Sequence, residues 1–421
     1  MPIFYNLVTK SYKIALFLAS PLHSKAKKML EGRKNIFATI AKDFPLTKPK
    51  KPLAWFHCAS LGEFEQGRTL LENFKKKYPA YLIVLTFFSP SGYEIRKNYE
   101  FADFVYYLPF DSAENAKKWL DYLQPTIIFF VKYEFWHYYL QEAKTRNIIT
   151  ISFSAIFRQN QLFFSPYAKL YPQVLQCFSH IFVQNENSLQ LLQQIGISSA
   201  SIAGDTRLDR VLEIAKQAKK FPIVDNFTQN SFVCVLGSTW EDDIAVLAPF
   251  FTTFSQKIKI IIAPHEISEN KLKNIEKAFY TKKTSRYSQS NVETVANFDI
   301  LLVDTIGMLS SLYAYGNIAF VGGGYGDGLH NILEPAVFGL PIFFGNKKYK
   351  KFQEAIDLLD LGAAFAVGSA KEMEDKFLQL YTNEIDRDNI SKILATYMQK
   401  NQGGTKKIID FLANNYPLCE Y

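Results

Sequence analysis

Cysteine is scarce. The four in this 421-residue chain, Cys58, Cys177, Cys234 and Cys419, lie far apart and match neither a disulfide framework nor a zinc-ligand spacing. The core must therefore hold the fold, and a reducing, cytoplasmic setting is expected. Long apolar runs are lacking too. Lys10 and Lys13 interrupt the apolar residues between 3 and 22, leaving a run well short of the roughly 20 residues that span a bilayer. No small-residue cleavage site follows, which argues against a removable signal peptide. The only Asp-x-Asp, Asp386 to Asp388, lies far in sequence from the strand ends described below, so no metal site is expected. Finally, the glycine-rich stretch lacks the third glycine of a dinucleotide fingerprint, whose positions fall on Gly322, Gly324 and Asp327. Hydride transfer is therefore disfavoured.

What is present is bulk. With 48% apolar residues and no low-complexity tract, the length suits two sizeable cores rather than one. Charge is uneven: residues 1–51 carry eleven Lys and Arg against Glu31 and Asp43, a balance of +9 that leaves the remainder at −1 of the total +8. Ile3, Phe4, Leu7, Val8, Ile14, Leu16, Phe17, Leu18 and Leu22 lie among these cations. Basic and apolar residues together predict an amphipathic anchor over 1–48 on an anionic membrane surface, not a nucleic-acid arm, with a spanning helix as the alternative.

Beyond the arm, short apolar runs alternate with helical patterns, which predicts an α/β fold with parallel sheets covered by helices. The runs are 53–58, 81–87, 104–108, 126–131, 148–153 and 180–183, then 232–236, 258–263, 300–303, 317–321 and 342–344. The stretch 207–228 has no strand signal and reads as a linker between a domain at 49–206 and one at 229–421. Two such domains are expected to face each other across a cleft, with ligands at the carboxyl ends of the strands.

The chemistry-bearing residues fall at those ends. After 53–58 come Ser60 and Glu63, at the start of an expected helix. Glu63 is placed to take a proton from a hydroxyl, although the spacing is equally that of a capping box. Ser91 and Glu94 follow the second run, and Lys132 and Glu134 the fourth; with Ser60 they make a polar acceptor-side rim. In the second half Gly237, Ser238 and Thr239 offer backbone and hydroxyl donors to a phosphate. His265 and Glu266 end the next run, and Ile306, Gly307, Met308 and Leu309 are placed to close over a base. Gly322, Gly323 and Gly324 precede a helix expected to begin near His330 and Asn331, with backbone N–H groups bared to a phosphate. Glu334 lies one turn beyond Asn331, able to reach a sugar hydroxyl, yet these two also have capping spacing. The segment reads as a nucleotide-sugar site.

In this order the segments ASLGE, TFFSPSGYE, KYEFW, GDTRLDR, GSTW, DTIGMLSSLY and GGGYGDGLHNILEPAVFGLP resemble the 3-deoxy-D-manno-octulosonic acid (Kdo) transferases of lipopolysaccharide synthesis. The resemblance spans nearly the whole chain. It implies two Rossmann-like domains of the GT-B type, a CMP-Kdo donor, a lipid A precursor (lipid IVA) as acceptor, and inversion without a metal or other cofactor. It also implies work at the cytoplasmic face of an inner membrane. By position, Glu63 is the implied general base. Gly237, Ser238, Thr239, the turn 307–309, Gly322 to Gly324, Asn331 and Glu334 are the implied CMP ligands, with His265 beside them. The chain has Pro264-His265-Glu266 where many members have Arg-His-Pro-Glu-Arg, so two arginines are missing. Two rivals stay open: a GT-B transferase using a UDP-sugar, and a membrane-bound sugar-nucleotide sensor without turnover.

Overall fold

A computed structural model describes residues 2–45, 51–161, 164, 171–326 and 328–419. Lys48 and Lys50 of the basic arm, and Asp327, lie outside them. The chain divides into two compact units, Met1–Asp209 with Gln402–Tyr421, and Arg210–Asn401.

The first unit is built on a seven-stranded sheet. Its strands are β1 (Leu53–Cys58), β2 (Leu82–Phe87), β3 (Phe104–Tyr107), β4 (Ile127–Val131), β5 (Ile149–Ala155), β6 (His180–Val183) and β7 (Ala200–Ile202). The order is β3-β2-β1-β4-β5-β6-β7, parallel throughout. Every residue of β1 and β4 is buried, as expected where helices cover both faces of a parallel sheet. The second unit repeats the plan with β8 (Phe232–Thr239), β9 (Ile258–Pro264), β10 (Thr284–Arg286), β11 (Ile300–Leu302), β12 (Ile318–Val321), β13 (Ile342–Gly345) and β14 (Ala364–Val367). Their order is β10-β11-β9-β8-β12-β13-β14. In each sheet the winding reverses once, between β1 and β4 and between β8 and β12. Such reversals are where doubly wound sheets bind ligands.

Three strands were not expected from the sequence: β7, β10 and β14. All three lie at sheet edges; ASI and TSR are three-residue, partly polar stretches, whereas AFAV is an apolar run of the same length as β6 and carried the same signal.

Two expected boundaries need correction. Residues 207–228 are no free linker: the helix Thr206–Lys216 straddles the division between units, and the helix Pro222–Thr228 buries Val224 and Phe227 in the second unit's core. Nor does the second domain run to 421. The helix Gly404–Asn415 belongs to the first unit, with Ile408 and Leu412 packed beside Phe64 and Phe74. Asp209 fixes this return by accepting the Gly403 N–H at 2.6 Å and the Thr405 N–H at 2.7 Å.

The N-terminal arm also divides. The helix Pro2–Ala19 leaves Leu7, Val8, Ile14, Phe17 and Leu18 exposed, with Leu22 just beyond it. No helix among the described residues is long and apolar enough to cross a membrane. From Ser24 onward the chain packs into the first unit, burying Ala26, Met29, Ile40 and Phe44. Arg33 goes with it. Its guanidinium donates to the carbonyls of Leu108, Met29 and Phe88 and lies over the rings of Phe88, Phe110 and Tyr107. Burial lowers its pKa to about 10.

Candidate functional site

At the reversal of the first sheet, β1 runs into Ser60 and the helix Leu61–Lys77, with Glu63 in the first turn. The expected capping box is not formed. The Ser60 side chain caps no backbone N–H and instead donates its hydroxyl proton to Glu63 Oε2. Glu63 is therefore a half-buried carboxylate aligned by a neighbouring hydroxyl, not a helix cap.

β4, on the other side of the reversal, is followed by Lys132, whose φ of 59° is left-handed and costly for a residue with a side chain. This kink turns the chain so that Glu134 comes back against the sheet. Glu134 Oε2 lies 2.8 Å from the Trp136 indole nitrogen and 3.2 Å from Nε2 of His57, which is fully buried in β1. His57 Nδ1 lies 2.8 Å from the Thr86 hydroxyl, which accepts the Trp55 indole proton at 2.7 Å. Indole N–H groups only donate. Every group is satisfied if Trp55 donates to Thr86, Thr86 to His57 Nδ1, and both His57 Nε2–H and Trp136 to Glu134. Glu134 is thus anchored through one oxygen. The buried Cys58 thiol is pushed up by burial and then by the charges of Glu63, Glu134 and Glu65, which places three carboxylates around this strand end.

The remaining acceptor-side residues do not join this group. Ser91 is exposed and bonds Ser89. Glu94 accepts from the Tyr107 hydroxyl at 3.3 Å and lies 3.8 Å from Lys28 Nζ, tying the helix Ser24–Glu31 to the unit. Lys132 instead contributes, after Arg207, to holding the buried Asp205 carboxyl below its usual range against the opposing effect of burial.

The second reversal gathers the donor-side residues. β8 is bulged at Ser238, whose φ is 52°, again left-handed at a strand end. Gly322 N–H, after β12, donates to Gly237 O at 2.9 Å. A Cβ on Gly322 would lie 2.2 Å from Ser238 O, and one on Gly237 would lie 2.9 Å from Leu309 and 2.0 Å from the Tyr313 hydroxyl. Glycine is needed where these loops meet. Leu309, Gly237, Ser238 and Gly322 to Gly324 are therefore brought together.

Two expectations are corrected here. The helix after the glycines begins at Leu333 and not near His330 and Asn331, and it is a single turn, Leu333–Ala336, so it carries little dipole. Just before it Asn331 accepts the Leu333 N–H at 3.2 Å and donates to Glu334 at 3.2 Å, while the N-cap position is Ile332, so the two side chains brace the turn without forming a capping box. The glycine N–H groups are also not all bared: Gly322 bonds Gly237, and Gly323 bonds Asp243 Oδ2 at 2.9 Å. Thr239 is buried, and its hydroxyl has no partner among the described residues. Gly307 has φ 86° with nothing within 4 Å of a Cβ, and the neighbouring Ile306 is 94% exposed. Met308 is buried against Thr305, whose hydroxyl lies 2.8 Å from its sulfur.

The sequence had assigned no role to Trp240 or His330. Trp240 stacks on His265 with centroids 4.4 Å apart, His265 stacks on His330 at 4.5 Å, and the Trp240 indole donates to His330 Nε2 at 2.9 Å. Lys271 lies 5.3 Å from the Trp240 ring and pairs with Glu266. Trp240 and His265 directly after β8 and β9, and His330 in the loop after β12, were the available signal; the three strands are neighbours in the sheet but not in the sequence.

A sequence profile described as 3-deoxy-D-manno-octulosonic-acid transferase (kdotransferase) matches residues 32–210. Relatives match much further. The 3-deoxy-D-manno-octulosonic acid transferase of Rickettsia prowazekii is 27% identical over 85% of this chain and 78% of its own length. That of Aquifex aeolicus is 26% identical over 86% and 97%, and that of Chlamydia trachomatis serovar A is 28% identical over 87% of each. Among solved structures, UDP-GlcNAc 2-epimerase from Neisseria meningitidis aligns with TM-score 0.60 at 15% identity, covering 87% of this chain and 100% of that one. MurG from Acinetobacter baumannii aligns with TM-score 0.56 at 12% identity, covering 87% and 100%. These structural likenesses concern the fold, two Rossmann-like units of the GT-B type. The motif order, the profile over residues 32–210 and relatives spanning most of the sequence agree: over most of its length this chain is similar to the 3-deoxy-D-manno-octulosonic acid (Kdo) transferases.

Proposed function

We propose that the protein is an inverting, metal-independent glycosyltransferase that moves Kdo from CMP-Kdo to the lipid A precursor lipid IVA, at the cytoplasmic face of an inner membrane. One observation carries the reading: Glu63 and Glu134 in the first sheet, and Gly237 to Thr239 with Gly322 to Gly324 in the second, lie at or just after the ends of the strands between which the winding reverses. Glu63 takes the proton of the acceptor hydroxyl as its oxygen attacks the Kdo anomeric carbon. The bond to the CMP phosphate breaks on the opposite face, and its electron pair leaves with CMP. Inversion follows. Glu134, held by His57 and Trp136, accepts a second acceptor hydroxyl. On the donor side Ser238 and the imidazoles of His265 and His330 meet the phosphate charge in place of a divalent ion. The only Asp-x-Asp, Asp386 to Asp388, lies far in sequence from these strand ends, on the helix Glu384–Asn401.

The test is conversion of lipid IVA with CMP-Kdo in excess EDTA, with the product's anomeric configuration read by NMR. Product of inverted configuration is expected. A Mg²⁺ or Mn²⁺ requirement, retention, or turnover only with a UDP-sugar would each overturn the corresponding part of the proposal.

Glu334 is proposed to hold a ribose hydroxyl. It lies close enough for its charge to help raise the buried Tyr313 hydroxyl's pKa, after burial itself. Glu334→Ala is expected to weaken CMP binding by roughly 1–3 kcal/mol, as removal of a charged hydrogen-bonding partner does. Thermal stability is measured alongside, because the same change removes the contact with Asn331. Unaltered CMP affinity in a folded variant would remove Glu334 from the site.

The exposed apolar stripe Leu7 to Leu22 and its cations are proposed to hold the enzyme on anionic lipid. Lys10, Lys13, Lys25, Lys27 and Lys34 are exposed, whereas Arg33 is part of the fold. Each cation near such a surface contributes about 1 kcal/mol, screened by salt. Changing these five lysines to glutamine is expected to reduce co-sedimentation with anionic vesicles, most at low ionic strength, and to leave CMP affinity intact. Vesicle binding unchanged at every salt concentration would refute the electrostatic account.

A further inference from the structure

We propose that Asp243 is the positioning residue of the donor site, fastening the Gly237–Trp240 turn to the glycine loop in the geometry that binds the nucleotide. This rests on the reading of that site as the CMP-Kdo site. Asp243 lies in the first turn of the helix Glu241–Thr253 and is 1% exposed. Its Oδ2 accepts the Trp240 N–H at 2.8 Å, an ordinary helix cap. It also accepts the Gly323 N–H at 2.9 Å, from a loop 80 positions further along the chain. The second bond is no part of a cap. It crosses the sheet reversal and joins the two loops that carry the donor residues.

The packing around it leaves little freedom. A Cβ on Gly322 would lie 2.7 Å from Asp243 Oδ2 and 2.7 Å from the Thr239 Cα. Oδ1 is buried and has no partner among the described residues, as is also true of the Tyr325 hydroxyl and the Thr239 hydroxyl. The carboxylate thus works through a single oxygen. Such a bond is roughly twice as strong when the acceptor is ionised. Ionisation is costly here, because burial, with a smaller contribution from Asp242, raises the Asp243 carboxyl to about 6 despite the two N–H donors. Around it stand Asp242 on the same helix, Tyr325 on the glycine loop, whose own pKa is raised by burial and then by Asp243, and His330, whose ring Cδ2 would lie 3.0 Å from a Cβ on Gly323. Acidification from neutral pH neutralises the fastening and loosens the loop. Because the folded carboxyl binds its proton more readily than an ordinary aspartate, this protonation favours the folded state. Weaker nucleotide binding at pH 5 would therefore not be unfolding driven by this group.

The experiment measures CMP binding calorimetrically to the full chain and to Asp243→Asn at pH 7.5 and pH 5.0. Asparagine keeps an oxygen for both N–H groups but is neutral at either pH, so the variant resembles the protonated protein. At pH 7.5 it is expected to bind CMP about tenfold more weakly than the wild type, and at pH 5.0 the ratio is expected to fall to about two or below. Titration of CMP itself occurs with both proteins and cancels in the ratio. A ratio equal at the two pH values, or wild-type affinity in the variant at pH 7.5, would overturn the proposal. If the wild type binds no CMP at either pH, the donor-site reading itself has failed and takes the proposal with it. Should the variant not fold, protection of the wild-type Gly323 amide against hydrogen exchange, corrected for intrinsic rates, is expected to drop from pH 7.5 to 5.0; unchanged protection would overturn it.

Discussion

Glu63→Gln is expected to lower turnover about 10²-fold or more while leaving CMP affinity close to that of the wild type. Loss of a general base costs about 10²–10⁴-fold, and glutamine keeps the shape while removing the lone pair that takes the proton. A structural explanation of such a loss would require Glu63 to stabilise its helix. Ser60 makes that explanation weak, since its hydroxyl donates to Glu63 and caps no backbone N–H. A glutamine oxygen accepts the same hydroxyl, so thermal stability should shift little. The discriminating measurement is single-turnover transfer at saturating donor and acceptor, with melting temperature as control. Near-normal turnover in a stable variant would show that another group, Glu134 being nearest in chemistry, takes the proton.

Much of the frame was legible in the sequence because parallel strands buried on both faces are continuous apolar runs. LAWFHC and IIFFV could hardly be anything else. The strand-end motifs were legible for a related reason: a polar cluster directly after such a run falls at the carboxyl edge. What stayed hidden depended on the partner of a residue, which spacing does not encode. Arg33 sits in a basic segment and counted there as one more membrane-facing cation, yet it is buried over Phe88 and Phe110. Ile408 and Leu412 announce an amphipathic helix but not which of two cores it joins. Asn331 and Glu334 satisfied two rules at once; their side chains bond each other, and the sugar contact is left to experiment.

The donor site shows the same division. The clustered glycines from Gly322 to Gly324 signalled a close backbone approach, which is correct, but the ligand approached was open to choice. Much of the closeness proves internal: Gly322 packs on the Ser238 carbonyl, and Gly324 on Gly345 at the end of β13. The sequence suggested a cradle of bare N–H groups; the fold uses two of them to bind its own loops together. Left-handed Lys132 and Ser238, both non-glycine and both at strand ends in candidate positions, could not be read from composition at all. Strain of that kind is tolerated where the surrounding structure over-determines it, and it tends to gather at functional sites.

Gly324→Ala follows from this internal packing and is expected to disrupt the second unit strongly. Gly324 does not have a positive φ, so alanine can adopt its backbone conformation and the cost is one of space alone. The added Cβ would lie 2.4 Å from Gly345 O, 2.6 Å from Gly345 N and 2.9 Å from its Cα, distances that real Cβ atoms do not reach. No side chain can swing aside, because the obstacle is the backbone of β13, itself paired to β12 and β14. The glycine loop must lift instead, at an overpacking cost of about 3 kcal/mol, and CMP affinity should fall at least tenfold with it. Gly307→Ala supplies the contrast: its φ of 86° strains alanine, yet open space surrounds the Cβ, so a cost of about 1 kcal/mol is expected. Melting temperature and CMP titration on both variants separate space from strain. If Gly324→Ala melts and binds CMP like the wild type, the loop does not rest against β13 as described, and the close glycine contact would not shape the donor site.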